Sequence, residues 1–334
     1  MNRVFLLLAL FFSACTPQKK TEPVKLLGAA QGTYYSIIYY DEARRNFQPE
    51  IDSLLQAFDR SLSLWIPSSI LSRVNNNDTS VVPDKSFEDN FNLSMQVAAN
   101  TNGAFDVTVG PLVRAWGFGF DEKKHVDSHI IDSLLQFTGY RKVKIQNGII
   151  VKDDPRVSLD FNAIAQGYSV DLVGDFLERH GIENYLVDIG GEVKAKGQKP
   201  DGSLWKVGIE KPAKHQDDLR SLKAVIALKN KSVATSGSYR KFYIENGIRY
   251  SHTIDPKTGR PVQHSLLSVS VLADSTAVAD AYATAFMVMG FEKSKQFVEQ
   301  DSALEAFFIY ARPDSTNQIY ITKGFKTIIT EELK

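Results

Sequence analysis

Residues 235–261, TSGSYRKFYIENGIRYSHTIDPKTGRP, constrain the fold more than any other stretch of the chain. Residues 239–244 and 248–253 alternate as two strands, and Glu245, Asn246 and Gly247 between them form a hairpin turn. The second strand runs into Asp255-Pro256-Lys257-Thr258-Gly259, a tight turn punctuated by proline and glycine. A purely structural hairpin has no need of Thr235-Ser236-Gly237-Ser238 ahead of it, or of His252 near its end. Glycine beside hydroxyls lets a backbone approach a ligand and supplies donors for phosphate or ring oxygens. A decorated surface hairpin fits the same residues, and the stretch alone leaves both readings open.

The first residues read as a targeting signal. Arg3 is the charged start, residues 4–12 are apolar, and Ser13-Ala14-Cys15 is a small-residue processing site. The apolar run is too short to span a bilayer as a helix. Cys15, the only cysteine, sits where a bacterial lipoprotein carries its lipidated first residue. The expectation is a signal peptide at 1–14, a lipidated Cys15 with a polar tether through residue 24, and one domain over 25–334. With Cys15 consumed by lipid, disulfides, cysteine nucleophiles and thiolate metal sites are excluded. The expected location is a membrane lipoprotein facing the periplasm. Lys+Arg and Asp+Glu balance at 39 each, so no basic face is implied and nucleic acid is excluded as a partner.

Along the domain, apolar spacing predicts helices at 49–62, 86–101, 127–139, 164–179, 276–289 and 292–300. Strands are predicted at 33–40, 156–160, 185–189, 205–210, 224–228, 269–273, 305–310 and 319–322. A hairpin is expected around Asn147-Gly148, and residues 68–77 read as a polar loop. Helices and strands mix without the alternation of a doubly wound sheet, which argues for α+β, one domain with two lobes.

Besides residues 235–261, three segments could carry chemistry. In Asp160-Phe-Asn-Ala-Ile-Ala-Gln-Gly-Tyr168 a strand ends on an acid and turns into a helix, a usual ligand position. An ordinary helix cap by Asp160 or Asn162 explains it equally. Val187-Asp-Ile-Gly-Gly-Glu192 is a buried strand opening into paired glycines, which also serve a plain turn. In Ala277-Val-Ala-Asp-Ala-Tyr-Ala-Thr-Ala-Phe286, Asp280 and Thr284 lie four apart on one face of an alanine-rich helix. They suit a hard cation such as magnesium, and intrahelical hydrogen bonding is the other explanation.

Taken in order, Gln31-Gly-Thr33, Gly103-Ala-Phe-Asp106, DFNAIAQGY, VDIGGE, TSGSYR, SHTIDPKTGRP and ADAYAT resemble the ApbE family of flavin transferases. The resemblance runs from about Gly28 to the C-terminus. It implies an α+β, two-lobed, T-fold-related domain with mixed, mainly antiparallel sheets flanked by helices. It also implies FAD as substrate and Mg2+ as cofactor. Such enzymes move the FMN half of FAD onto a Ser or Thr of another protein and release AMP. The acceptor expected from the family is a subunit of a membrane redox complex or another periplasmic flavoprotein. Hydrolysis of FAD to FMN and AMP, or flavin binding without turnover, are the alternatives.

Carried over by position, the implied metal ligands are the Ala163 carbonyl and the Asp280 and Thr284 side chains. The implied FAD contacts are Gln31, Trp65, Ala104, Phe105, Asp106, Asp160, Gln166 and Ile254, with His252 and Asp280 as the catalytic pair. Gln31 stands where the family usually has Met, and Trp65 where Tyr is common; both can border or stack on a flat ring.

Overall fold

The computed structural model describes residues 22–118, 126–212, 221–238, 242–245, 248–314 and 316–333. Outside these lie the expected signal segment, Cys15 and most of the tether. So do Tyr239 and Arg240 ahead of the hairpin, and its Asn246-Gly247 turn.

Eight antiparallel strands form a central sheet whose spatial order follows chain order. They are Val24–Ala30, Thr33–Tyr39, Tyr185–Ile189, Glu192–Lys196, Lys231–Gly237, Leu266–Ala273, Glu305–Ala311 and Asn317–Ile321. Each strand pairs with its neighbour in sequence, and the remaining elements are insertions between neighbours. Period-two alternation gives the sheet two faces. Tyr35, Ile37, Val187, Ile189, Ala234, Val269 and Phe308 face helices such as Gln48–Leu62, Lys85–Asn100, Ala165–Arg179 and Thr276–Met289. Val193, Ala195, Val233, Leu272, Phe307 and Ile309 pack instead on a three-stranded sheet (Trp205–Glu210, Leu222–Leu228, Ile329–Glu332), burying Trp205, Ile226 and Phe325 between them. A satellite core of Leu112, Trp116, Ile131 and Ile254 anchors the Asp255–Gly259 turn, where Trp116 Nε1 donates to the Gly259 carbonyl at 2.8 Å.

Several expectations hold. The Asn147-Gly148 turn joins Val143–Gln146 to Ile149–Lys152 with both residues at positive φ (52° and 75°), as a type I′ turn requires. The helices Gln48–Leu62, Ala165–Arg179 and Thr276–Met289 match their apolar stripes.

Two expectations are corrected. The loop read at 68–77 contains a helix, Ile70–Asn75, because the Ser69 hydroxyl accepts from Ser72 N at 3.0 Å and Leu71 and Val74 are buried. The strand read at 156–160 has no ladder. Val157 and Leu159 are buried, as their alternation suggests, but the Asn75 side chain supplies the missing partner. It donates to the Leu159 carbonyl and accepts from Leu159 N, both at 2.8 Å, so one amide stands in for a neighbouring strand. The strands Val24–Ala30, Glu192–Lys196 and Lys231–Gly237 had no clear signal; in Val24–Ala30 only Leu26 is buried.

Candidate active site

Two helices organise the site, the Gln166 helix (Ala165–Arg179) and the Asp280 helix (Thr276–Met289). The second is lined with buried alanines at 277, 279, 281, 283 and 285, which lets it approach its neighbours closely. At the contact sits Gly167: a Cβ there would lie 2.5 Å from the Thr276 carbonyl and 2.8 Å from Asp280 Cβ. The Gln166 helix begins at Ile164 without a side-chain cap of its own. Neither Asp160 nor Asn162 caps it, since Asp160 Oδ1 accepts instead from Asn162 N at 2.9 Å in a local turn. The cap comes from the other helix, where Asp280 Oδ2 accepts from Gly167 N at 3.0 Å.

The favour is returned. Asp171, one turn along the Gln166 helix, accepts from Thr276 N, Ala277 N and the Ser275 and Thr276 hydroxyls at 2.7–3.1 Å. Each helix therefore caps the start of the other through an aspartate more than 100 residues distant in sequence.

The Asp280 helix also runs along the strand Lys231–Gly237. The Thr276 and Ser232 hydroxyls lie 2.9 Å apart, and the Thr284 and Ser236 hydroxyls 3.3 Å apart. Eight helical residues rise about 12 Å and four strand residues about 13 Å, so the two rows keep step. The intrahelical bond that could explain Asp280 and Thr284 is thus replaced by partners on two other elements. Of the hydroxyls at 235–238, Ser236 meets Thr284. Thr235 is 2.7 Å from Ser270 Oγ across the sheet, and Ser238 N donates to Leu267 at 2.9 Å.

The paired glycines bring in a further acid. Gly190 and Gly191 form the two-residue turn between Ile189 and Glu192, with φ of 64° and 111°. A Cβ on Gly190 would lie 2.0 Å from Gln166 Nε2, so only glycine admits that side chain beneath the turn. Gln166 Nε2 donates to the Ile189 carbonyl at 2.8 Å and to the Glu192 carboxylate. Alternation places Glu192 and Lys194 on the helix-facing side of their strand, where Lys194 Nζ lies 3.2 Å from Asp171. Glu192 is a site residue that sequence reasoning quoted in VDIGGE without assigning it a role; its place directly after a glycine turn was the available signal.

The electrostatics are unusual. Burial raises the Asp280 carboxyl well above its ordinary range, and the Gly167 N–H only partly offsets this. Burial also raises Glu192, and the neighbouring Asp280 charge raises it further. Two acids share one desolvated corner, and Asp280 Oδ1 has no hydrogen-bond partner among the described residues. Among those residues no cluster of three or more His, Cys, Asp or Glu side chains could hold a metal. A cation here would rest on a carboxylate, a hydroxyl and main-chain oxygen, the donor set of a hard ion that keeps water and phosphate ligands.

The other expected residues fall into a neighbouring group. Asp160 N donates to the Val107 carbonyl at 2.7 Å, joining the turn that holds Ala163 to the loop of Ala104, Phe105 and Asp106. Burial raises the Asp160 carboxyl, while Asn162 N–H and the Arg114 charge lower it. Asp106 spends its oxygens inside the protein, taking Thr108 N and Oγ1 at 2.8 and 2.6 Å and Tyr140 N at 2.7 Å. Burial pushes its carboxyl up as well. Ala104, Phe105 and Ile254 are buried, so these positions offer a ligand chiefly their main chain. Gln31 has a left-handed backbone (φ 54°), and its amide contacts Ser169 Oγ at 3.3 Å and leaves its Nε2 end buried without a partner. Trp65 is 71% exposed. The His252 ring lies edge-on to Phe118 at 6.4 Å, beside the satellite core. A cavity of about 430 Å³ bounded by Ser238, Ser251, Gln263 and His264 includes none of the acids. The chemistry, not this hollow, marks the candidate site.

Comparison with known proteins agrees. The model of the ApbE family matches residues 31–308. A protein of Vibrio cholerae named FAD:protein FMN transferase is 36% identical over 322 residues, covering 94% of this chain and 95% of its own. A Haemophilus influenzae protein of the same name is 34% identical, over 96% and 95%. Among solved structures, the flavin transferase ApbE of Vibrio cholerae superposes with a TM-score of 0.82 at 36% identity, covering 92% of this chain and 99% of that one. The apo flavinyl transferase ApbE of Pseudomonas stutzeri gives 0.84 at 32%, over 95% and 100%. With its sequence, its sheet and its helix pair all in agreement, the chain belongs to the ApbE family.

Proposed function

We propose that the protein is an FAD:protein FMN transferase. It moves the FMN half of FAD onto a Ser or Thr hydroxyl of a target protein and releases AMP. The observation that carries this reading beyond family membership is Asp280, a buried, under-partnered carboxylate beside a second acid and one helical turn from a hydroxyl. Such a corner calls for positive charge.

The residues fit magnesium. Asp280 Oδ1, the Thr284 hydroxyl and the Ala163 carbonyl at the start of the Gln166 helix would hold it. When bound, the ion supplies charge that offsets the diphosphate oxygens and steadies the AMP leaving group. The chain's own work is positioning. The reciprocal caps lock both helices, so that Asp280 and Thr284 face the groove at fixed spacing. Gln166, Gln31 and the main chain of Ala104, Phe105 and Ile254 would orient the dinucleotide, and Asp160 would fix the turn that carries Ala163. The buried, unpartnered end of the Gln31 amide supports a ligand at that position, since such a group is costly to leave empty. His252 would assist the acceptor hydroxyl.

The proposed location is the periplasmic face of a membrane, held by lipid on Cys15, with a redox-complex subunit or another periplasmic flavoprotein as acceptor. The signal-like first residues support this. No helix among the described residues is long and apolar enough to cross a membrane.

The test is incubation with FAD and magnesium, with and without a Ser/Thr-containing candidate acceptor, followed by mass spectrometry. A mass gain of one FMN less water on the acceptor, with AMP released, is the expected result. Equal AMP release in both tubes without an adduct would mean hydrolysis instead, and intact FAD would mean binding alone.

A further inference from the structure

We infer that Glu192 is a positioning residue that locks the Gln166 amide with its carbonyl oxygen toward the groove, so that Gln166 reads a hydrogen-bond donor on the substrate. The inference rests on the reading of this site as an FAD site and adds a residue and a recognition chemistry to it.

An amide side chain offers two donors on Nε2 and two acceptor positions on Oε1. Here the assignment of the two ends is settled by their neighbours. One neighbour of Nε2 is the Ile189 carbonyl at 2.8 Å, which can only accept. The other is the Glu192 carboxylate. Both hydrogens of Nε2 are therefore spent inside the protein. Oε1 has no hydrogen-bond partner among the described residues and is not among the side-chain atoms sealed from solvent. The amide cannot rotate to present its nitrogen, because that would set Oε1 against the Ile189 carbonyl, which has no hydrogen to give. The positive-φ Gly190, whose missing Cβ makes room for Nε2, holds the side chain in the same pose.

The ligand group that meets Gln166 is thus an N–H or O–H: the ring imide, a sugar or ribityl hydroxyl, or the adenine amino group. It is not a phosphate oxygen. Glu192 reaches the substrate only through Gln166.

The experiment begins with FAD binding to the full-length protein by calorimetry, which tests the parent reading independently. No binding by wild type would remove the FAD site itself. Given binding, Glu192→Leu frees the amide and should weaken FAD about tenfold, the scale of one charge-assisted hydrogen bond. KM should rise by that factor while kcat stays within about twofold. Gln166→Glu sets a carboxylate against both the Ile189 carbonyl and Glu192 and should weaken FAD further. Glu192→Gln keeps a side-chain oxygen that accepts from Gln166 Nε2 and should retain most of the affinity. This pair decides the matter even if Glu192→Leu folds poorly. Competition by riboflavin and by AMP locates the donor, since only the half that touches Gln166 should lose affinity in Glu192→Leu. Unchanged FAD affinity in Glu192→Leu, equal weakening of kcat and affinity, or a loss in Glu192→Gln as large as in Glu192→Leu would overturn the inference.

Discussion

Asp171 and Asp280 do the same geometric job with opposite electrostatic outcomes. Each caps the first turn of the other's helix. Asp171 receives four hydrogen bonds and the Lys194 ammonium at 3.2 Å, so its charge is fully met inside the protein. Asp280 receives one hydrogen bond, from Gly167 N, and faces Glu192, and among the described residues nothing else meets its carboxylate. Two caps of similar geometry are thereby told apart, one as scaffold and one as the proposed metal ligand. A carboxylate's function is legible less from its position than from what is left unsatisfied around it.

The sharpest way to break this comparison is substitution of each acid in turn. Asp280→Asn keeps a cap for Gly167 and removes the charge. Flavin transfer should fall by roughly 10²–10³ or more, the scale of losing a preorganised charge partner at a phosphoryl centre. The magnesium-free protein should melt no lower than wild type. Asp171→Ala should do the reverse. Loss of the cap and of the partner of Lys194 should cost about 2–4 kcal/mol in denaturant unfolding, with kcat of the folded fraction within about threefold. If Asp171→Ala removed activity at full stability, the division of labour would fail.

A smaller effect lies in pH. Burial raises Asp280 and Glu192 in the folded chain, so without a cation folding takes up protons. Their contribution is fully present below the unfolded carboxylate range and is lost as pH rises through the raised folded values. The melting temperature without magnesium should therefore fall across that window. Magnesium with FAD, or the Asp280→Asn change, should flatten the slope. The smallest effect is expected for Lys194→Met, which keeps the apolar stem and leaves Asp171 its four donors. The expected loss is about 1 kcal/mol, read by the same unfolding measurement.

What the sequence revealed follows the reach of each interaction. The Asn147-Gly148 turn and the Asp280–Thr284 face are local, and local spacing shows them. The burial of Val157 and Leu159 was equally readable, but their partner is a side chain 84 residues away, so the expected ladder does not exist. The two helix caps join residues 113 and 105 apart, and no motif announces such pairs. Glu192 illustrates the middle case: the glycine turn beside it was visible, whereas the strand Glu192–Lys196, and with it the direction of its side chain, was not. The family was legible through ordered motifs, while the balance of charge that separates Asp280 from Asp171 appears only once the helices are packed.

The measurement that bears most directly on this is calorimetric titration of magnesium into the FAD-loaded protein, comparing wild type, Asp280→Asn and Asp171→Asn. Saturable binding in wild type and in Asp171→Asn, with loss of at least tenfold in affinity in Asp280→Asn, is the predicted result. Undiminished magnesium binding in Asp280→Asn would contradict the assignment of that carboxylate as the cation's seat.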